Sequence, residues 1–188
     1  MREAGAIVAV VRDGETKCTG VVTGLSRVLT AAHCFRAAEG LSIRFGDQEG
    51  SAGGTRRVMR VVKHGNLDAG LLELEAPLPA WIIPLALPTE GLTSPEMGRM
   101  VAVGRRGEDS RDGPSLLRAM VIHSGTELEV DYEGEAGLCR GDSGGPLVTR
   151  ELDGRVVVWG ILRDGAMGCR GPDRFTRTSF LGAWVGRK

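Results

Sequence analysis

Three short segments of this 188-residue chain hold the residue types that can activate a hydroxyl nucleophile. They are Val28-Leu29-Thr30-Ala31-Ala32-His33-Cys34, Asn66-Leu67-Asp68-Ala69-Gly70-Leu71-Leu72 and Gly141-Asp142-Ser143-Gly144-Gly145-Pro146-Leu147. A serine hydroxyl is a weak nucleophile near neutral pH. An imidazole has to take its proton, and a carboxylate has to fix the tautomer of that imidazole and stabilise its cation. His33, Asp68 and Ser143 are of those types, one to a segment. The glycines around Ser143 leave space for backbone N–H groups to approach a reacting carbonyl. Each segment alone has a plainer reading. A histidine beside a cysteine is usually structural, Asp68 suits a strand end or a turn, and Gly141 to Gly145 suits an ordinary turn. Together they favour catalysis. His64 and His123 stand in no such context and read as surface or structural residues.

Residues this far apart meet only if the chain between them folds back repeatedly, and the pattern predicts that it does so as strands. Short apolar runs separated by turn signals recur at Ile7 to Val11, Cys18 to Val22, Arg27 to Ala31, Leu41 to Phe45, Arg57 to Val62 and Leu71 to Leu74. After a proline-rich stretch they resume at Met100 to Val103, Leu116 to Ile122, Glu127 to Val130, Pro146 to Val148 and Val156 to Leu162. Leu41 to Phe45 alternates with period two, as a half-buried strand does. Strands this short and evenly spaced indicate a barrel or sandwich. One helix is expected, from about Ser179 to Val185, with Phe180, Leu181, Trp184 and Val185 on one face. Pro77 to Pro95 holds five of the eight prolines; proline removes ladder donors, so this stretch reads as a connector between two β units. The expected division is 1–83, a connector at 84–96, and 97–188. Gly104 to Gly113 reads as an exposed charged loop, and no internal repeat is evident.

Composition narrows the function classes. There are 24 basic and 24 acidic residues, giving a formal net charge of zero, without the clustered Lys and Arg of a nucleic-acid binder. No run approaches the ~20 apolar residues of a membrane-spanning helix, so neither nucleic acid nor membrane is an expected partner. Glycine accounts for 29 residues, well above the usual share of ~7%, in keeping with many turns. Ala6 to Val11 is too short for a secretory signal peptide and lacks a cleavage pattern. Either the protein acts inside the cell or the sequence begins at a mature domain. The four cysteines, Cys18, Cys34, Cys139 and Cys169, contain no CxxC, which argues against structural zinc. As two disulfides they would suit a secreted or periplasmic protein.

The three segments resemble those of trypsin/chymotrypsin-like serine endopeptidases, over about Ile7 to the C-terminus. Gly-Asp-Ser-Gly-Gly-Pro-Leu and Thr-Ala-Ala-His-Cys carry the resemblance, with Asp68-Ala69-Gly70-Leu71-Leu72 in support. It implies an all-β fold of two packed antiparallel barrels with a short C-terminal helix, and hydrolysis of peptide bonds through an acyl-enzyme without metal or cofactor. Ser143 would be the nucleophile, His33 the general base and then acid, and Asp68 the orienting carboxylate. The N–H groups of Gly141 and Ser143 would form the oxyanion hole. Cys18 would pair with Cys34 and Cys139 with Cys169. The other disulfides common in animal members are missing, which suits a compact bacterial member. A protein or peptide would be the substrate, with a protein inhibitor or an activating protease as further partners.

Departures from the family pattern also bear on function. The Ile-Val-Gly-Gly terminus, whose freed amino group pairs with the aspartate at the Asp142 position, is missing; an unpaired Asp142 would carry a penalty of several kcal/mol and low activity, unless another cation such as Arg140 or Arg2 reaches it. The cleft-wall Ser-Trp-Gly aligns with Arg163, Asp164 and Gly165, in preference to an alignment through Trp159-Gly160. Gly137 stands where trypsin-like enzymes keep a charge-selecting aspartate, whereas Asp173 stands where a pocket-floor glycine usually sits. With Gly137, Leu138, Arg140 and Gly165, Asp173 would line the substrate pocket and favour cleavage after Arg or Lys. Its opposite is an Asp173 turned away onto Arg170 or Arg174, leaving an apolar pocket. Two other functional readings fit the same sequence. One is a catalytically silent or zymogen-like homologue acting as a binding module. The other is a partner-activated intracellular protease in a bacterial defence system.

Overall fold

The computed structural model describes residues 5–46, 53–89, 99–104, 115–132, 137–166 and 168–187. Strands dominate. The first half contains β1 (Ile7–Arg12), β2 (Glu15–Gly24), β3 (Arg27–Thr30), β4 (Leu41–Phe45), β5 (Gly54–Lys63) and β6 (Gly70–Leu74). The second contains β7 (Arg99–Gly104), β8 (Ser115–Ser124), β9 (Glu127–Tyr132), β10 (Pro146–Arg150), β11 (Val156–Asp164) and β12 (Asp173–Arg177). Each set closes into an antiparallel barrel, in the order β1-β2-β3-β6-β5-β4 and then β7-β8-β9-β12-β11-β10. The second barrel thus repeats the strand order of the first, although no sequence repeat announces it.

Burial follows the pattern from which the strands were predicted. Leu41, Ile43 and Phe45 point inward from β4 while Ser42 and Arg44 alternate with them. β11 reads instead as an unbroken apolar run because it is covered on both faces. Val157, Trp159 and Leu162 enter the core of the second barrel, whereas Val156, Val158 and Ile161 join the core of the first. That shared strand fastens the two barrels together. The connector runs along the junction: Leu78 N–H donates to the Leu25 carbonyl, Leu85 N–H to Val22, and the Ala86 carbonyl accepts from Val158 N–H. The end of the connector beyond residue 89 and the charged loop at 105–113 lie outside the described residues.

Two elements differ from expectation. β12 was not evident from hydrophobic periodicity, since it buries Asp173 and Thr176 beside Phe175. The C-terminal segment is not one helix from Ser179 but a 3-10 turn, Thr178–Phe180, followed by α1 (Gly182–Arg187). Leu181 is the buried anchor. Phe180 is half exposed beneath the guanidinium of Arg177, which lies 5.4 Å from its ring centroid. No helix among the described residues is long and apolar enough to cross a membrane.

Candidate active site

His33 lies in a 3-10 turn, Ala32–Cys34, that leaves the end of β3, and Asp68 lies in the turn just before β6. β3 and β6 are neighbours, with Thr30 opposite Gly70, so the two turns leave the barrel side by side. Phe35 closes the gap between them. A Cβ on Gly70 would stand 2.2 Å from the Phe35 ring, so only glycine admits the ring at this point. The imidazole Nδ1 and Asp68 Oδ2 are 2.7 Å apart, and His33 N–H donates to Asp68 Oδ1 at 3.0 Å. Both carboxylate oxygens thus engage one residue, which fixes the ring orientation. His64 braces the same turn: its Nδ1 accepts from Asn66 N–H and Leu67 N–H, and its ring meets Trp184 edge-on. The structural reading of His64 therefore holds, and His123 is exposed on the surface.

These contacts set the electrostatics. The hydrogen bond to Asp68 raises the His33 pKa above 6.5, against partial desolvation, with help from the charges of Asp68 and Asp164. For Asp68, burial pushes the pKa up. The hydrogen bond and charge of His33, with backbone N–H groups, outweigh it and hold the carboxyl below 3.8.

The Ser143 loop docks onto the first barrel at β2. Thr19 N–H donates to the Ser143 carbonyl (2.8 Å), Thr19 Oγ1–H donates to the Gly141 carbonyl (3.0 Å), and Cys34 Sγ lies 3.8 Å from the Ser143 carbonyl oxygen. Ser143 therefore stands beside the turn that carries His33. Gly144 makes this contact possible. It has φ +83°, and a Cβ there would lie 2.2 Å from Thr30 Oγ1 and 2.3 Å from the Thr19 carbonyl oxygen. Within the loop, the N–H groups of Asp142, Gly144 and Gly145 are committed to the carbonyls of Cys139, Leu162 and Asp142. Those of Gly141 and Ser143 have no backbone acceptor among the described residues. Asp142 is buried at 1% exposure and its Oδ2 accepts from Cys139 N–H at 2.8 Å.

The segments named as pocket walls converge on Asp173. Its Oδ2 accepts from Tyr132 O–H (2.7 Å) and Leu138 N–H (2.9 Å), and its Oδ1 accepts from Ala166 N–H (2.9 Å). Asp173 does not turn onto Arg170 or Arg174; it lies at 0% exposure between the segment of Leu138 and that of Gly165. Gly137 packs against the chain opposite, where a Cβ would meet the Gly171 nitrogen at 2.8 Å, so this position has no room for a side chain. Arg140 is exposed on the loop leading to Gly141. Trp159 is buried in the second barrel and donates to Thr149 Oγ1, whereas Gly165 is exposed beside Asp173 and the Leu138 carbonyl. Sequence reasoning missed Tyr132. Burial first, then the hydrogen bond to Asp173 and its charge, hold the Tyr132 phenol far above its usual pKa, so its hydroxyl donates at every relevant pH.

Both cysteine pairs are bonded, Cys18–Cys34 and Cys139–Cys169, with Cα–Cα distances of 6.0 and 4.8 Å. The first ties β2 to the His33 turn and the second ties the Ser143 loop to the segment between β11 and β12. Cys18, Cys34 and His33 cluster closely enough for metal ligation, but the two sulfurs are bonded to each other and offer no thiolate.

Two closed antiparallel barrels, one carrying the His33–Asp68 pair and the other docking the Ser143 loop against it, define the chymotrypsin-like class of fold. The chain belongs to the trypsin family, whose pattern, described as "Trypsin", it matches over residues 2–185. Its relatives include rat "Transmembrane protease serine 9", 30% identical over 208 residues that cover 89% of this chain and 19% of that protein. "Serine protease SP24D" of Anopheles gambiae is 29% identical, covering 95% of this chain and 74% of that one. "Serine protease filzig" of Drosophila melanogaster is 29% identical, covering 91% and 12%. The chain thus spans less than a fifth of the length of the rat and Drosophila relatives. A solved structure of human heparin binding protein superposes with a TM-score of 0.84 at 24% identity, covering 100% of this chain and 92% of that chain.

Proposed function

We propose that this chain is a serine endopeptidase that cuts peptide bonds with Ser143, His33 and Asp68. The observation that carries the reading is the 2.7 Å His33–Asp68 contact beside a Ser143 loop hydrogen-bonded to Thr19, next to the disulfide of the His33 turn. Asp68 holds the proton on Nδ1, leaving Nε2 free to take the Ser143 proton as Oγ attacks the substrate carbonyl. The negative oxygen of the tetrahedral intermediate receives the uncommitted N–H groups of Gly141 and Ser143. His33 then passes its proton to the leaving amine as the C–N bond breaks. A water, deprotonated by His33, hydrolyses the resulting ester and restores Ser143. A fluorophosphonate should label wild type at Ser143 and leave Ser143→Ala unlabelled. Ser143→Ala and His33→Ala should each lose nearly all amidase activity, because the residues act as a unit. Near-wild-type turnover by either would overturn the assignment and favour a silent binding module.

The finer reading, cleavage after Arg or Lys, rests on a carboxylate at the pocket floor. Asp173 is the candidate for that carboxylate, and it lies at 0% exposure with three internal donors. A cationic side chain would have to share the carboxylate with these donors. This burial favours a second reading, a pocket that takes an uncharged side chain. Cleavage of a peptide library decides between the two. The disulfides support export to an oxidising compartment, checked by a free-thiol count on protein from its native source.

A further inference from the structure

One acidic side chain in the cleft has no part in the chemistry above. β11 pairs with β10 as far as Ile161, opposite Pro146, and Leu162 is held by Gly144 and Gly145. Beyond it, Asp164 is paired to Arg174 of β12 and to no strand on its other side among the described residues. That open edge lies between the Ser143 loop and Gly165 at the pocket, where an extended peptide could add as one more strand. Asp164 lies on it with its side chain 51% exposed. It stands opposite Arg174, the exposed neighbour of buried Asp173, so it lies on the outer face of the strand; the charges of Asp164 and Arg163 act on His33 in opposite directions. Its neighbour Arg163 does not neutralise it tightly. The Arg163 guanidinium is held by Glu127, and its Nε stands 3.5 Å from Asp164 Oδ2, longer than a charge-assisted hydrogen bond.

We propose that Asp164 receives a Lys or Arg side chain of the substrate, in the segment N-terminal to the scissile bond and outside the primary pocket. The proposal rests on the peptide-cleaving reading. It makes the cleft selective for basic stretches whatever the primary pocket accepts. Extended substrate side chains alternate in direction, so a residue next to the one in the pocket points away from the Asp173 floor and toward the open side where Asp164 lies. A half-exposed pair of this kind gives a modest preference that salt weakens.

The test uses the whole chain and internally quenched peptides in which the residue before the cleaved bond is held constant. The three residues preceding it are varied singly among Lys, Arg, Gln and Glu. At least one of these positions should show Lys or Arg over Gln by about two- to fivefold in kcat/KM at low salt, shrinking at 0.5 M salt. Asp164→Asn should bring that ratio near one, and Asp164→Lys should reverse it in favour of Glu. Active-site titration with a fluorophosphonate normalises each variant to its competent fraction, so poor folding cannot mimic the effect. Hydrolysis without a Lys/Arg preference, or a preference unchanged in Asp164→Asn, overturns the proposal while leaving the endopeptidase reading intact. Absence of both labelling and hydrolysis in wild type overturns the endopeptidase reading, and the proposal with it.

Discussion

Replacing Tyr132 by Phe removes a single oxygen from a buried polar cluster of the second barrel. In wild type that hydroxyl donates to Asp173 Oδ2 at 2.7 Å, and the carboxylate also receives Leu138 N–H and Ala166 N–H, both at 2.9 Å. After the substitution the Leu138 and Ala166 N–H groups still reach the carboxylate and the β9–β12 pairing is untouched. The loss is one hydrogen bond to a buried charge, worth about 1.5–3 kcal/mol. Taking about 2 kcal/mol, a chain of this size should melt roughly 4–8 °C lower. Calorimetry at pH 7 measures the stability change, and the peptide library measures the second consequence. If the hydroxyl is what screens the carboxylate from the pocket, Tyr132→Phe should increase cleavage after Arg and Lys relative to uncharged residues. A melting temperature within 1 °C of wild type and an unchanged library profile would refute the reasoning. So would a wild-type enzyme that already cuts mainly after Arg or Lys.

Three further outcomes are expected. Because the His33 pKa is raised above 6.5 and the base must be neutral, activity should fall as pH drops through that raised value, and Asp68→Asn should lower both the rate, by about 10⁴-fold, and the pH of the acid limb. The stability link has the opposite sense: the His33 contribution is full below about pH 6.5 and lost as pH rises through its folded pKa, whereas that of Asp68, with its lowered pKa, is lost as pH falls through its own. A pH–rate profile flat from 4.5 to 8 would contradict His33 as base. Gly144→Ala combines a φ of +83° with overlap onto Thr30 and Thr19; displacement of the Ser143 loop by about 1 Å is enough for a loss of ~100-fold in kcat, and a variant of wild-type activity would disprove the packing argument. Removing the Cys139–Cys169 bridge, with its sequence separation of 30, should destabilise by roughly 3.7 kcal/mol on the chain-entropy model, and removing Cys18–Cys34, with a separation of 16, by roughly 3 kcal/mol; denaturant midpoints that reverse this order would count against that account.

What could be read from the sequence was what repeats locally. Leu41 to Phe45 announced a strand because alternate residues face the core, and His33, Asp68 and Ser143 stood out because their neighbours are small or apolar in patterns that serve chemistry. β12 escaped because its inward residues include Asp173 and Thr176, whose burial is tolerable only after Tyr132, Leu138 and Ala166 supply donors. Those donors come from β9, the segment before the Ser143 loop and the segment after β11, a long-range arrangement that no window of β12 contains. The same reason hid Tyr132. The C-terminal helix starts later than the apolar spacing predicts because Phe180 does not join the buried face: its ring is half exposed and covered from outside by Arg177.

The docking of Thr19 on Ser143 makes one amide proton a gauge of how the two barrels breathe. Thr19 N–H points across the junction to the Ser143 carbonyl, so it meets solvent when the barrels part there, even if neither unravels. Amides that bond only within one barrel, such as those between β2 and β3, need that barrel to open. Hydrogen exchange at Thr19 compared with these neighbours would therefore give the free energy of separating the halves, apart from that of unfolding them. In the proposed mechanism the base and the nucleophile stand on different halves, so that quantity would bound the fraction of time the reactive pair is assembled.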